Sequence, residues 1–243
     1  MVALKGVIVA VAAISVVGAT VSSAAADPAA AGASNPQSFL FFWGTDIWRY
    51  GGFLYGGSLW SPAGLDRDGF TLKILLNGGP YSYLSGSTKI DGTLLSGAAL
   101  PGWRFVRGGF TLSVFAGPIV QDYRLTPNDP GARLNGFYIG GAFSAEVWYR
   151  PTASTMAALS GTVSSIGPTG SLRAAVGYRF VDPFFFGPET QELWCGNFDE
   201  FQVGAHLTGL HTGAFEWSAG GGWSLTSDHR SGPYLRLGVN TRY

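Results

Sequence analysis

From residue 38 onward, apolar side chains recur at every second position, and this alternation constrains the fold more than any other feature. Leu172, Ala174, Val176, Tyr178 and Phe180 alternate with Arg173, Ala175, Gly177 and Arg179. Phe137, Ile139, Gly141, Phe143, Ala145, Val147 and Tyr149 alternate with Tyr138, Gly140, Ala142, Ser144, Glu146 and Trp148. Two more runs behave alike, one through Phe201, Val203, Ala205 and Leu207, the other through Phe215, Trp217, Ala219, Gly221, Trp223 and Leu225. A period of two puts successive side chains on opposite faces of a strand, and no helical period competes with it. The pattern predicts twelve strands, at about 38–48, 52–60, 69–78, 93–105, 109–122, 134–149, 155–165, 171–181, 184–191, 199–210, 214–225 and 233–243.

The connections carry a second signal. Counted along the chain, the even ones (61–68, 106–108, 150–154, 182–183 and 211–213) are mostly short. The odd ones include 79–92, 123–133, 166–170, 192–198 and 226–232, which are longer and rich in turn residues. The connection near Arg49 to Gly51 is a short exception. An even strand count with alternating short and long connections is the pattern of an outer-membrane barrel.

Which face turns outward decides between a water-soluble and a membrane barrel. Lys73, Arg104, Glu146, Arg173, Arg179, Glu216 and Arg236 lie mid-strand on the polar face. In water these charges would face out; in lipid the arrangement inverts and they line the lumen. Strands of ten or more residues suit a tilted membrane span. Aromatics near strand ends (Trp43, Trp48, Trp60, Trp103, Tyr149, Phe180, Phe184, Trp217 and Tyr234) suit interfacial girdles. Tyr243 ends a strand in phase with Thr241, Val239, Leu237 and Leu235, which resembles the C-terminal assembly signal of bacterial outer-membrane barrels. The expected fold is therefore an all-β, antiparallel up-and-down transmembrane barrel of about twelve strands. Its final strand must pair with the first, because an unpaired edge has no partners in lipid.

Composition excludes other classes. Only 12% of residues are charged, Lys+Arg and Asp+Glu are 15 each, and there are 35 aromatics, so disorder and nucleic-acid binding are both disfavoured. One cysteine excludes a disulfide framework or a thiolate zinc site. Residues 1–26 read as a cleaved signal peptide: Lys5, an apolar run from Gly6 to Val21, then Ala24-Ala25-Ala26 as the cleavage site. Residues 27–37, "DPAAAGASNPQ", read as a flexible lead, and 38–243 as the barrel domain.

Candidate chemistry is sparse. His206 lies on the polar face of its strand, with Ser218 and Ser224 on the polar face of the next. No spaced motif makes them a triad, and no histidine pair has metal-ligand spacing. No catalytic, cofactor or metal site is expected. The expected interior is a polar network of Lys73, Arg104, Glu146, Arg173, Arg179, His206, Glu216 and Arg236.

Several longer strings carry a resemblance: "DIWRYGGFLYGGSLWSPAGLDRDGFTLKILL", "SGAALPGWRF", "AGPIVQDYRLTPNDPGARL", "GPETQ", "FQVGAHLTGL", "FEWSAGGGW" and "SGPYLRLGVNTRY". They are similar to the BcsS family of cellulose biosynthesis proteins, over nearly the whole of 38–243. The resemblance implies an accessory role in cellulose production or export at the outer membrane, without a transferable catalytic set. The partners it implies are outer-membrane lipid and the cellulose chain or other secretion components, with no nucleic acid. A small porin and a lipid-modifying barrel enzyme stay open as alternatives.

Overall fold

The computed structural model describes residues 37–167, 169–196 and 198–243. The signal peptide and all but the last residue of the lead lie outside these. Twelve strands follow one another: β1 (Phe39–Trp48), β2 (Gly51–Trp60), β3 (Gly69–Ser85), β4 (Thr88–Arg107), β5 (Phe110–Thr126), β6 (Gly136–Thr152), β7 (Thr155–Ser164), β8 (Thr169–Val181), β9 (Phe184–Cys195), β10 (Phe198–Thr212), β11 (Phe215–Thr226) and β12 (Ser231–Arg242). Each pairs antiparallel with its sequence neighbours, and β12 pairs with β1 to close the barrel. Closure runs from Leu40 opposite Arg242 to Trp48 opposite Tyr234. This end of the barrel, where Phe39 and Arg242 lie, is called the terminal end below, and the other the loop end.

The two faces sort as the alternation predicts. Phe41, Trp43, Leu54, Leu76, Ile139, Val176, Leu235 and Leu237 point outward, whereas Lys73, Arg104, Ser113, Arg173, Glu189 and Arg236 are buried within. A soluble barrel would have the reverse. An apolar exterior around a polar interior is stable where the surroundings are hydrocarbon.

Aromatic rings gird the terminal end. Phe70 meets Trp60, Trp60 meets Phe39, Phe39 meets Phe41, and Phe41 meets Tyr243, with centroids 6.0 to 6.5 Å apart. Trp43, Phe215 and Trp217 continue the belt around the closing seam. Such rings are favoured where lipid meets water.

The connections depart from the expected alternation. At the terminal end four of them are two-residue turns, at 108–109, 153–154, 182–183 and 213–214, and one is the longer 61–68. At the loop end, however, the expected 79–92 loop is ladder: β3 and β4 pair as far as Ser85 opposite Thr88. Only Gly86 and Ser87 turn the chain, with Gly86 at a φ of +62° that a side chain would disfavour. The Gly, Pro and Ser residues that read as loop are accommodated in strands that continue past the barrel's mean height. β3 to β6 are 17 to 20 residues long, while β1, β2 and β7 are 10. Since about ten residues cross a bilayer, β3 to β6 rise as a wall at the loop end.

Candidate functional site

A twelve-stranded barrel is wider than the eight-stranded kind that side chains alone just fill. Here the lumen is filled by one buried apolar cluster that runs from the terminal end to the loop end, and by a set of buried polar residues beside it. Inward-turned loops add to the apolar filling at both ends.

At the terminal end, Leu65 of the 61–68 loop joins Leu40, Leu59 and Leu100 in the buried cluster. Its N–H donates to the Gln37 carbonyl at 2.8 Å. At the loop end, Leu134 and Ile166 come from connections and join Tyr81, Tyr123, Leu193 and Phe198 of the strands. Aromatic contacts tie this layer together, with Tyr81 5.8 Å from Phe198 and Trp48 6.2 Å from Phe198.

The loop-end layer is also fastened from outside the lumen. Asp129 accepts hydrogen bonds from Tyr83 (2.8 Å), Ser85 (3.2 Å) and the Gly131 N–H (3.0 Å), which pins the 127–135 loop to the wall. The Tyr83 hydroxyl does most to hold the Asp129 carboxyl below its ordinary range, with desolvation opposing it. Asp228 in the 227–230 connection accepts the Leu84 N–H at 3.0 Å, and Arg230 stacks over the Tyr50 ring at 3.8 Å.

Beside the apolar cluster lies a polar layer built on two carboxylates of β1 and β9. Glu189 Oε2 accepts from Arg173 (2.6 Å) and from Arg236 (2.5 Å), and its Oε1 accepts from the Tyr234 hydroxyl at 3.1 Å. Asp46, register partner of Arg236, accepts from Gln191 at 2.7 Å and Gln202 at 3.3 Å. Gln202 also donates to Glu200 at 3.2 Å. β9 and β12 are not neighbours; β10 and β11 lie between them. The Glu189–Arg236 pair spans that gap because the intervening inward positions include Gly204, Gly220 and Gly222. A Cβ at Gly220 would collide with the Glu189 carboxylate and the Arg236 guanidinium. The glycine-rich strings are thus the floor on which the ion cluster rests.

The remaining sequence candidates are spread around this layer. Lys73 donates to Glu146 at 2.5 Å, under the Phe115 ring. His206 is 1% exposed and engages both ring nitrogens, Nδ1 with Thr208 at 2.9 Å and Nε2 with the Val176 carbonyl at 3.1 Å. Neither nitrogen meets Ser218 or Ser224, and the Ser224 hydroxyl donates to the Gly232 carbonyl at 3.3 Å. Glu216 is buried near the terminal end, 3.9 Å from His211. Arg104 is buried without an ion pair among the described residues. Arg179 lies apart from all of these: it is at the terminal rim, paired with Asp182 at 3.2 Å and stacked on Phe185 at 4.5 Å. Among the described residues, no group of three His, Cys, Asp or Glu is placed to hold a metal ion.

Sequence reasoning missed Asp46, Glu189 and Glu200. Asp46 and Glu200 lie close to loop-end strand termini and resemble rim residues. Glu189 sits in "GPETQ", where Gly187 and Pro188 obscure the alternation. Its phase with Phe185 and Gln191 was the available signal.

Three part-enclosed spaces among the described residues are small, about 30 Å³ beside Arg104 and Trp148, 20 Å³ beside Asn77 and Phe198, and 10 Å³ beside Tyr123 and Cys195. A space of 30 Å³ takes about two waters.

Against known proteins, the family model "Cellulose biosynthesis protein BcsS" matches residues 40–243. Among solved structures, the chain is similar to the CymD monoaromatic hydrocarbon channel, at 8% identity and a TM-score of 0.53, over 86% of this chain and 89% of that one. It is likewise similar to the toluene transporter TodX of Pseudomonas putida, at 10% identity and a TM-score of 0.50, over 86% and 90%. At these identities the likeness is one of fold. No curated protein matches.

Proposed function

The chain belongs to the cellulose biosynthesis protein BcsS family, and from that membership we propose that it serves cellulose production as a non-enzymatic barrel of the bacterial outer membrane. The signal peptide at 1–26 would export it, and the terminal end would face the periplasm. The inverted polarity of the wall supports the membrane setting, since an apolar exterior of this extent has no stable place in water.

The single observation that carries the reading of its role is the packed lumen. A continuous apolar cluster fills the lumen from end to end beside an ion cluster whose carboxylates are engaged by side chains of non-adjacent strands. A conduit for a sugar polymer needs a continuous polar passage, and the enclosed spaces beside this cluster hold no more than a few waters. The barrel then works through its surfaces. The wall of β3 to β6 would stand in the external medium, where it can dock other secretion components or meet the emerging glucan.

His206 supports the non-enzymatic reading in the same way. A general base needs a ring nitrogen free to take a proton from a nucleophile. Both nitrogens here are committed, to a threonine and to a backbone carbonyl.

Single-channel recording in planar bilayers, set beside cellulose output of a deletion strain, tests the proposal. Loss of cellulose with no conductance of the purified barrel is the expected pair of results. Stable conductance steps would favour a channel instead, and unchanged cellulose would overturn the accessory role.

A further inference from the structure

One buried guanidinium of the polar layer has no direct ion pair among the described residues. Arg104 of β4 is 3% exposed, yet its Nε has no hydrogen-bond partner and no ion pair reaches the side chain among the described residues. The other buried cations of the lumen each pair directly with a carboxylate: Lys73 with Glu146, and Arg173 and Arg236 both with Glu189. An unmatched buried charge is costly, and in folded proteins it is normally paired or neutralised.

The residues around Arg104 suggest how. The ladder sets Arg104 opposite Ser113, Ser113 opposite Glu146, and Glu146 opposite Ser160. One rung nearer the terminal end, Thr111 stands opposite Trp148. All of these line one cavity of about 30 Å³. Three of its buried polar atoms lack partners, namely Arg104 Nε, Trp148 Nε1 and Ser160 Oγ. The first two can only donate, and the third can. Apart from the Ser160 hydroxyl, no buried acceptor lining the cavity is left over in this way. Its one carboxylate, Glu146, is turned to Lys73 at 2.5 Å.

Three spare donors beside the Arg104 guanidinium call for a ligand that accepts. We propose that this cavity binds a single small monovalent anion of halide size, held by Arg104, Trp148 and Ser160. Its volume takes about two waters, which admits chloride or bromide and excludes a sugar ring or a lipid phosphate. A water would satisfy the N–H groups, whereas an anion also places a negative charge directly against the guanidinium.

The test uses the purified full-length barrel in detergent. Its unfolding is followed by heat-modifiable gel mobility at constant ionic strength, while gluconate, too large for the cavity, is replaced by chloride from 1 to 100 mM. An anion bound only by the folded state raises the folded-to-unfolded ratio up to tenfold for each tenfold rise in chloride above its dissociation constant. The wild type is expected to show that rise. Trp148→Phe, which keeps the ring and removes one donor, is expected to need more chloride for the same gain. Arg104→Met is expected to lose the chloride dependence and to be at least as heat-resistant as wild type in gluconate. Crystals grown in bromide should show an anomalous peak between Arg104 and Trp148. A wild-type transition indifferent to chloride, or a cavity holding only water in bromide crystals, would overturn the proposal.

Discussion

Phe39 and Tyr243 exchange two backbone hydrogen bonds, each 2.8 Å long, across the seam where the barrel closes. Tyr243 N–H donates to the Phe39 carbonyl, and Phe39 N–H donates to the Tyr243 carbonyl, which also accepts the Ser38 N–H at 2.7 Å. The Tyr243 ring lies edge-on to Phe41, 6.0 Å away. One residue therefore completes both the ladder and the aromatic belt.

Replacing Tyr243 by Asp keeps the backbone bonds available but removes the ring and puts a carboxylate in the belt. Loss of an aromatic pair is worth about 0.5–1.5 kcal/mol beyond area, and a charge near the interface up to about 1 kcal/mol more. The folded fraction, read as heat-modifiable gel mobility, is expected to drop several-fold. His229→Asn is the control: it lies in the 227–230 connection, at a φ of 63° that asparagine tolerates, and should assemble as wild type.

The two faces of β8 are expected to respond differently. Val176 is 52% exposed on the outer face. An arginine there, near the bilayer middle, costs about 2–4 kcal/mol, so Val176→Arg should assemble poorly into lipid vesicles. Arg179→Ala should be much milder. Its Asp182 partner is 82% exposed, and exposed pairs contribute about 0–1 kcal/mol.

Adjacent glycines of β11 offer a finer test of the lumen. A methyl group at Gly220 would strike the Glu189 carboxylate, whereas one at Gly221, on the opposite face, would meet only the Tyr234 carbonyl, at 3.4 Å. Gly220→Ala should disrupt the Glu189–Arg236 pair, and breaking such a buried pair costs about 3–5 kcal/mol. Gly221→Ala should fall within about 1 kcal/mol of wild type. Urea titration of both variants in detergent checks the difference.

Asp129 gives the loop end a pH dependence. Its carboxyl is held below the ordinary range, so the stability it lends the 127–135 loop is fully present above about pH 4. That stability is lost as the pH falls further, through the lowered value in the folded state. Protease cleavage within 127–135 should rise below about pH 4 in the wild type. Asp129→Asn should be cleaved readily at neutral pH and show little further change on acidification.

The strands and their faces were legible in the sequence because a period of two is local: Leu172 to Phe180 declares its outer face without reference to any other strand. Depth is not local. Arg179 is in phase with Arg173, but it lies six residues nearer the terminal end, at the rim with Asp182. Nor does a strand declare which charges will meet. Glu189 reaches Arg236 across two strands, over a glycine floor whose purpose appears only once the registers of β9 to β12 are combined. The β3–β4 tip was obscured for a further reason. Gly78, Gly79, Pro80 and the serines beyond them have turn chemistry, and long-range pairing overrode it.

The central claim is that an assembled, closed barrel supports cellulose production. Its most direct test is the cellulose made by a strain lacking this gene, complemented with wild type or with Tyr243→Asp at matched expression. The account requires that wild type restore cellulose output and that Tyr243→Asp restore it only in proportion to its folded fraction in the outer membrane. Full cellulose output without the gene, or full restoration by a variant that fails to assemble, would contradict it.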